Sequence, residues 1–262
     1  MERRVEYQTF SLKGSVLVKL QNIRVVMIET THPGNIGAAA RAMKTMGLSQ
    51  LVLVRPQGYP CVEATARSAG ADDILAAARV VEDLESALEG CRFVMGTSAR
   101  LRSLALPVLD PREASAQVGA ETLQGDVALV FGTERTGLTN EEMARCHKLV
   151  NIPTNPDYSS LNVASAVQVL SYEMRMQSLQ GVASDSVVET ADHRQQPATA
   201  DQMESFFGHL DQVMAETGFS NPENPGRLMP RLRRLYNRAR PTLEEVNILR
   251  GIFTAAQKAY RK

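Results

Sequence analysis

Four short segments of this chain carry polar side chains beside glycine or proline, the make-up of loops that hold a ligand. The first runs from Thr31 to Arg41 (THPGNIGAAAR). Gly34 and Gly37 bracket Asn35 there, so backbone N–H groups at the start of a helix can face an anion. The segment has neither the GxGxxG dinucleotide fingerprint nor the GK[ST] of a phosphate loop, which disfavours nucleotide di- and triphosphates as ligands. Arg41 sits among Ala38, Ala39, Ala40 and Ala42, small neighbours that let a guanidinium lie against a packed surface. An ordinary surface arginine with an acidic partner has the same pattern. The second segment, GTSARLR, places Arg100 and Arg102 two apart, a spacing that suits bidentate grip of phosphate and equally suits two solvated loop arginines. The third, FGTERTGL, has Gly132 and Gly137 where a turn leads into a helix. The fourth, IPTNPDYSSLN, carries Pro153 and Pro156, with Ser160 as a helix N-cap. Taken one at a time, none of the four is specific.

The elements that must position these segments alternate in type. Apolar runs at 23–28, 51–54, 93–95, 127–131 and 149–152 read as buried strands, with a weak strand at 79–81. Helical patterns fall between them at 35–46, 62–69, 84–88, 112–118, from Thr139 with Glu142 closing a capping box, and at 161–177. Continuous apolar strands separated by helices predict an α/β fold, a parallel sheet with helices on both faces. All four polar segments then follow strands, where such sheets carry their ligands.

The pattern changes after residue 178. The stretch 179–199 is polar and aperiodic and reads as a linker. Three helices follow at about 201–217, 228–239 and 243–260, the first capped by Thr199 and the last by Thr242 with Glu245. Residues 1–19 show little pattern and read as a flexible extension. The expected division is therefore 1–19, an α/β unit at 20–178, a linker at 179–199 and a small helical extension at 200–262.

Composition bounds the function. Lys and Arg total 29, as do Asp and Glu, so nucleic acid cannot be gripped by a uniformly basic surface and needs a local patch. One exists: residues 227–240 hold six arginines and no acid. Leu228, Leu232 and Leu235 recur at helical spacing, leaving Arg231, Arg234 and Arg238 together on another face. A solvated face, or one docked on the acidic linker, is the competing reading. Cys61, Cys91 and Cys146 have no paired spacing, and the four histidines lack metal-site spacing; we expect no metal and a reducing, cytoplasmic setting. No apolar run approaches the roughly 20 residues of a membrane helix, so no membrane association is expected.

In order along the chain, the loops resemble the three motifs of the TrmH-type branch of the SPOUT methyltransferases. Asn35-Ile-Gly-Ala-Ala-Ala-Arg41 is similar to the first, Phe131-Gly-Thr-Glu134-Arg-Thr-Gly137-Leu to the second, and Ile152-Pro-Thr-Asn-Pro-Asp-Tyr-Ser-Ser160-Leu-Asn162 to the third. The likeness covers about residues 20–173. The run at 231–241, RLRRLYNRARP, and NILRGI at 247–252 are similar to the tRNA-modifying members that act on cytidine and uridine ribose. The resemblance implies a homodimer with a C-terminal trefoil knot, S-adenosylmethionine as cofactor, tRNA as partner, and 2′-O-methylation at nucleotide 32 of the anticodon loop. It implies cofactor contacts at Thr97, Ser98, Ala99, Gly132, Ile152, Ser159, Ser160 and Leu161. Arg41 becomes the central catalytic residue, with Ser160 beside it and Asn35 and Asn162 as supports; RNA contacts fall to Arg41, Arg100, Arg102, Arg231, Arg234 and Arg238. The alternative is an RNA-binding protein of this fold without catalysis, against which Asn35, Arg41, Glu134, Ser160 and Asn162 all stand at motif positions.

Overall fold

A computed structural model of the protein describes residues 18–99, 106–180, 196–220 and 226–260. Arg100 and Arg102, most of the 1–19 extension and most of the 179–199 linker lie outside them.

Seven strands form one sheet: β1 (Ile23–Ile28), β2 (Gln50–Val54), β3 (Arg79–Val81), β4 (Cys91–Thr97), β5 (Val108–Leu109), β6 (Asp126–Phe131) and β7 (Lys148–Val150). Their order across the sheet is β3-β2-β1-β6-β4-β7-β5, and every pairing is parallel. Residues alternate between two cores, as the two-residue period of a strand requires. From β1, Val25 and Met27 face one core, and Val26 and Ile28 the other.

The first core is covered by α1 (Pro33–Met46), α2 (Val62–Ser68), α3 (Asp72–Ala77), α5 (Pro111–Glu121) and α7 (Val163–Gln180), and the second by α4 (Leu84–Leu88) and α6 (Asn140–Ala144). Pro33 at its start and Gly47 in the left-handed region just past its end bound α1. Asp110 and Thr139 begin α5 and α6 with complete capping boxes. The one charged residue in β1, Arg24, is buried but fully engaged: it pairs with Asp126 at 3.0 Å and donates to the carbonyls of Ala87 at 2.8 Å and Glu89 at 2.9 Å.

Three details differ from the sequence reading. The six-residue α3 and the two-residue β5 are too short to leave a periodic signal. The strand expected at 149–152 ends at Val150, putting Ile152 in the following loop. The cap of α7 is Asn162, not Ser160: the Asn162 Oδ1 accepts from the N–H groups of Ala164 (2.9 Å) and Ser165 (3.3 Å), and Ser160 is exposed two residues upstream.

A third core joins α8 (Ala200–Glu216), α9 (Leu228–Ala239) and α10 (Leu243–Tyr260) around Phe206, Phe207 and Val246. It is pinned to the sheet by polar contacts. Asp201 accepts from the Gly90 N–H at 3.0 Å, Glu204 pairs with both Arg145 and Arg233, and Asn237 donates to the carbonyls of Ala144 and Cys146. Arg240, in the left-handed region at the end of α9, pairs with Glu121 and lies over the Phe93 ring.

His147 is caught in this seam. Its ring stacks on Phe93 at 5.2 Å, and its Nδ1 accepts from the Val94 N–H at 3.1 Å, which requires an unprotonated nitrogen. Burial, and then the nearby Arg240 charge, push its pKa down to about 3. The unfolded chain takes up this proton near its ordinary value of about 6.5, so stability is lost progressively as pH falls from there toward 3. The expected result is a melting temperature that declines below about pH 6.5, and declines less steeply in His147→Gln; equal slopes in the two proteins would remove His147 from that role.

Candidate active site

The loops after β4, β6 and β7 meet at one end of the sheet. They line one open cleft, whose empty volume including open solvent is about 1010 Å³. Its walls include Thr97, Ser98 and Ala99, then Gly132, then Ile152, Ser159, Ser160 and Leu161, all eight of the positions expected to hold a cofactor. Strand hydrogen bonds continue into the loops and fix their spacing. The Ser98 N–H donates to the Val150 carbonyl at 3.0 Å, Asn151 Nδ2 to the Ser98 carbonyl at 2.7 Å, and Thr97 Oγ1 to the Val130 carbonyl at 3.1 Å.

Gly132 is forced by its surroundings. The loop folds back through a bridge between Thr133 and Gly137, with the Gly137 N–H donating to the Thr133 carbonyl at 2.9 Å. A side chain at 132 would place its Cβ 2.3 Å from the Gly137 carbonyl carbon and 2.4 Å from the Leu138 nitrogen. Gly137 itself has φ +67°, a conformation glycine adopts freely. Among the described residues, the charged ones on the cleft wall are Glu134 and Arg135. Such a lining suits a ligand held by backbone groups and shape rather than one gripped by its phosphates.

The start of α1 proves to be an anion site already filled by the protein. The Glu134 carboxylate accepts from the Thr31 N–H (3.1 Å), the His32 N–H (3.4 Å), the Thr31 hydroxyl (3.1 Å) and Asn35 Nδ2 (3.1 Å). Burial works to raise its pKa, but the donors, its own backbone N–H included, outweigh that and hold the carboxyl below the usual glutamate range. The N–H groups that face this carboxylate are those of Thr31 and His32, just before the helix, while the Asn35 N–H turns back to the His32 carbonyl at 2.8 Å. Asn35 passes the connection on: its Oδ1 accepts from Asn162 Nδ2 at 3.0 Å, while Asn162 caps α7. One chain of hydrogen bonds thus ties together the loops after β1, β6 and β7. Sequence placed Glu134 at a motif position but gave neither it nor Thr31 a role in the site. The available signal was a carboxylate between two glycines after a strand, but its partner is visible only once β1 and β6 are known to be neighbours.

Arg41 is placed differently from the expectation. Ala39, Ala40 and Ala42 are buried, yet they face the sheet, and Arg41 points away on the exposed side of α1, outside the cleft of its own chain. Of the two readings of Arg41, the surface arginine is the one observed: at about 100° per residue, a helix that buries 39, 40 and 43 must turn 41 outward. Gly37 serves packing, since a Cβ there would sit 2.0 Å from the Ala64 carbonyl oxygen of α2. Among the arginines of α9, Arg231, Arg234 and Arg238 are exposed, whereas Arg233 is tied to Glu204. Among the described residues no cluster of His, Cys, Asp and Glu has the form of a metal site, and no helix is long and apolar enough to cross a membrane.

Comparison with known proteins places these features in context. Residues 22–172 match the SpoU rRNA Methylase family, and residues 201–262 match the C-terminal domain of the tRNA methyltransferase TrmJ. The chain is 53% identical, over 92% of its length and 96% of the relative's, to the tRNA (cytidine/uridine/adenosine-2′-O-)-methyltransferase TrmJ of Pseudomonas aeruginosa. It is 51% identical, over 91% of its length and 98% of the relative's, to the tRNA (cytidine/uridine-2′-O-)-methyltransferase TrmJ of Citrobacter koseri. The crystal structure of TrmJ from Z. mobilis superposes with a TM-score of 0.76 at 30% identity, covering 88% of this chain and 97% of that one.

Proposed function

Because the chain belongs to the SpoU rRNA methylase family and to its TrmJ branch, the tRNA 2′-O-methyltransferases, we propose that it methylates the ribose 2′-hydroxyl of nucleotide 32 in the tRNA anticodon loop, with S-adenosylmethionine as cofactor. The observation that carries this reading is one cleft lined by the loops after β4, β6 and β7, two of them motif loops, with Glu134, Asn35 and Asn162 tying the first motif loop to those two.

The residues present fit the cofactor. The close approach at Gly132 leaves backbone where a side chain would intrude, and the wall offers hydroxyl and backbone groups rather than a phosphate grip. Thr97, Ser98, Ala99, Gly132, Ile152, Ser159, Ser160 and Leu161 would hold it. When bound it supplies an electrophilic methyl group on a sulfonium. What the chain must add is alignment of the ribose oxygen and an outlet for its proton. Arginine stays protonated in proteins, so we assign Arg41 to the phosphate next to the target ribose and to the charge that develops on the oxygen, with the exposed Ser160 passing the ribose proton on to solvent water.

Arg41 lies outside its own chain's cleft, which supports the homodimer that the family resemblance implies, since a second copy can complete the site. The trefoil knot at the C-terminal end of the sheet and a cytoplasmic location belong to the same reading. So does a division into a methyltransferase unit at 20–178 and an RNA-binding unit at 200–262, joined by a linker at 179–199 and preceded by the 1–19 extension. Arg100 and Arg102 are assigned to RNA on sequence alone.

The test is incubation of the purified protein with tRNA and methyl-labelled S-adenosylmethionine, followed by nuclease mapping. Label on the ribose of nucleotide 32 supports the reading. Label on a base, or on another nucleotide, overturns the assigned position, and absence of label overturns the activity. The exposed arginines of α9 give a separate expectation. Arg231→Glu combined with Arg234→Glu should weaken tRNA binding and reduce the salt slope of log K by about 1 per lost phosphate contact, with cofactor affinity unchanged. An unaltered slope would move the RNA surface elsewhere.

A further inference from the structure

The loop after β7 carries an aromatic ring turned out to solvent. Tyr158 is 78% exposed, and among the described residues no other aromatic side chain stands so far out. A single exposed ring needs no explanation by itself, but the placement of this one does. Residues 155–158 form a tight turn: the Tyr158 N–H donates to the Asn155 carbonyl at 3.0 Å, and the Asp157 N–H donates to Asn155 Oδ1 at 3.0 Å. Asn155 and Pro156 are residue types that such a turn takes at its first two positions. The Thr154 hydroxyl donates to the Ser159 carbonyl at 3.4 Å and closes the base of the turn. The flanks of the turn, Thr154 on one side and Ser159, Ser160 and Leu161 on the other, line the cleft, while residues 155–158 do not. The ring is therefore held at the rim. Among the described residues the only aromatic ring on the cleft wall is that of Phe131, which is buried.

We propose that Tyr158 is the platform on which the base of the target nucleotide stacks while its ribose is methylated. The inference rests on the 2′-O-methyl transfer proposed above and names what holds the substrate's base during it. A ribose whose 2′-hydroxyl meets Ser160 has its base close to position 158, which is two residues and so at most about 7 Å of chain away. To reach the cleft, a nucleotide of an RNA loop must splay away from its neighbours, and the stacking it loses there has to be replaced. An aromatic side chain replaces it for any base, because each base has a π-face. The surroundings favour a base over a protein partner. A protein would need an apolar patch, whereas Asn155, Asp157, Ser159 and Ser160 around the ring are polar and exposed. The apolar surface offered is one ring wide, the size of a single stacked base.

The chain contains no tryptophan, so Tyr158→Trp in the full protein places a single fluorescent indole at the proposed contact. S-adenosylhomocysteine, the cofactor without its methyl group, is present to prevent turnover. Addition of tRNA is expected to quench the indole strongly, and the same tRNA lacking the base of nucleotide 32 is expected to bind, by gel shift, and leave the emission bright. Bright emission with intact tRNA bound, or equal quenching by the tRNA without that base, would overturn the proposal. Single-turnover methyl transfer at saturating tRNA gives a second readout. Tyr158→Ala should slow it about tenfold, within the range for one base–aromatic stack, and Tyr158→Phe, which keeps the ring, should restore most of the rate. Because the ring is exposed, melting temperature and cofactor affinity should hold in both variants. An undiminished rate in Tyr158→Ala, or the same loss in Tyr158→Phe, would also overturn the proposal. The parent protein is assayed alongside. Absence of label there, or label away from nucleotide 32, is failure of the proposed function, whereas label at that nucleotide with an unquenched indole is failure of this inference alone.

Discussion

Gly132→Ala is expected to weaken cofactor binding by about 10- to 100-fold while the chain still folds. The added Cβ would fall 2.3 Å from the Gly137 carbonyl carbon and 2.4 Å from the Leu138 nitrogen, both backbone atoms on the returning arm of the loop after β6. Backbone cannot rotate aside as a side chain can, so the arm must move. Overpacking of this kind costs about 1–3 kcal/mol, and each 1.4 kcal/mol is tenfold in affinity. The strain falls on a cleft wall rather than on the sheet, because Phe131 before it and Leu138 after it remain anchored in the two cores. Calorimetric titration of S-adenosylmethionine into the variant checks this, beside its melting curve. Affinity equal to the parent protein would mean that the loop yields without reaching the ligand, and Gly132 would lose its assigned place.

Arg41→Ala is expected to lower the rate of methyl transfer by about 100- to 1000-fold, the range observed when one charge-stabilising donor is removed from an active site. Because Arg41 is exposed on α1 and buries no partner, the fold and the cofactor affinity should be unchanged. Single-turnover kinetics at saturating tRNA separate the chemical step from binding. Arg41→Lys refines the assignment: it keeps the charge but not the planar fork. Partial activity would support charge stabilisation, whereas activity as low as in the alanine variant, with RNA still bound, would count against charge alone. Full activity of Arg41→Ala would remove the residue from the chemistry.

The order of strands and helices was legible because apolar periodicity is a local property. β1, β3, α4 and α9 occupy the residues their patterns predicted, and the capping boxes at Thr139 and Thr242 start α6 and α10. The eight cleft positions came from motif resemblance and not from spacing. Three matters were not legible, each for a physical reason. The role of Glu134 depends on β1 lying beside β6, a neighbour relation between segments about a hundred residues apart that no local pattern encodes. The alanines around Arg41 left open whether the guanidinium lies against a packed surface, and helix geometry sends them one way and the guanidinium another. At the start of α7, Ser160 and Asn162 are both good caps by type, and only the backbone path decides for Asn162.

The strand order also sets how this chain must come together in time. β1 is made early, yet one of its two edges waits for β6, whose pairing runs from Ile23 with Val127 to Met27 with Phe131. β4 likewise waits for β6 and then β7. During synthesis β1 therefore carries an open, apolar edge until residue 131 has left the ribosome, and such an edge is a template for unwanted pairing. Parallel pairing between distant segments is slow in itself, because loop closure must precede any gain from contact. A ribosome-stalled chain ending before β6 should thus be prone to aggregate and to engage chaperones, whereas one extended past Gln180 should not.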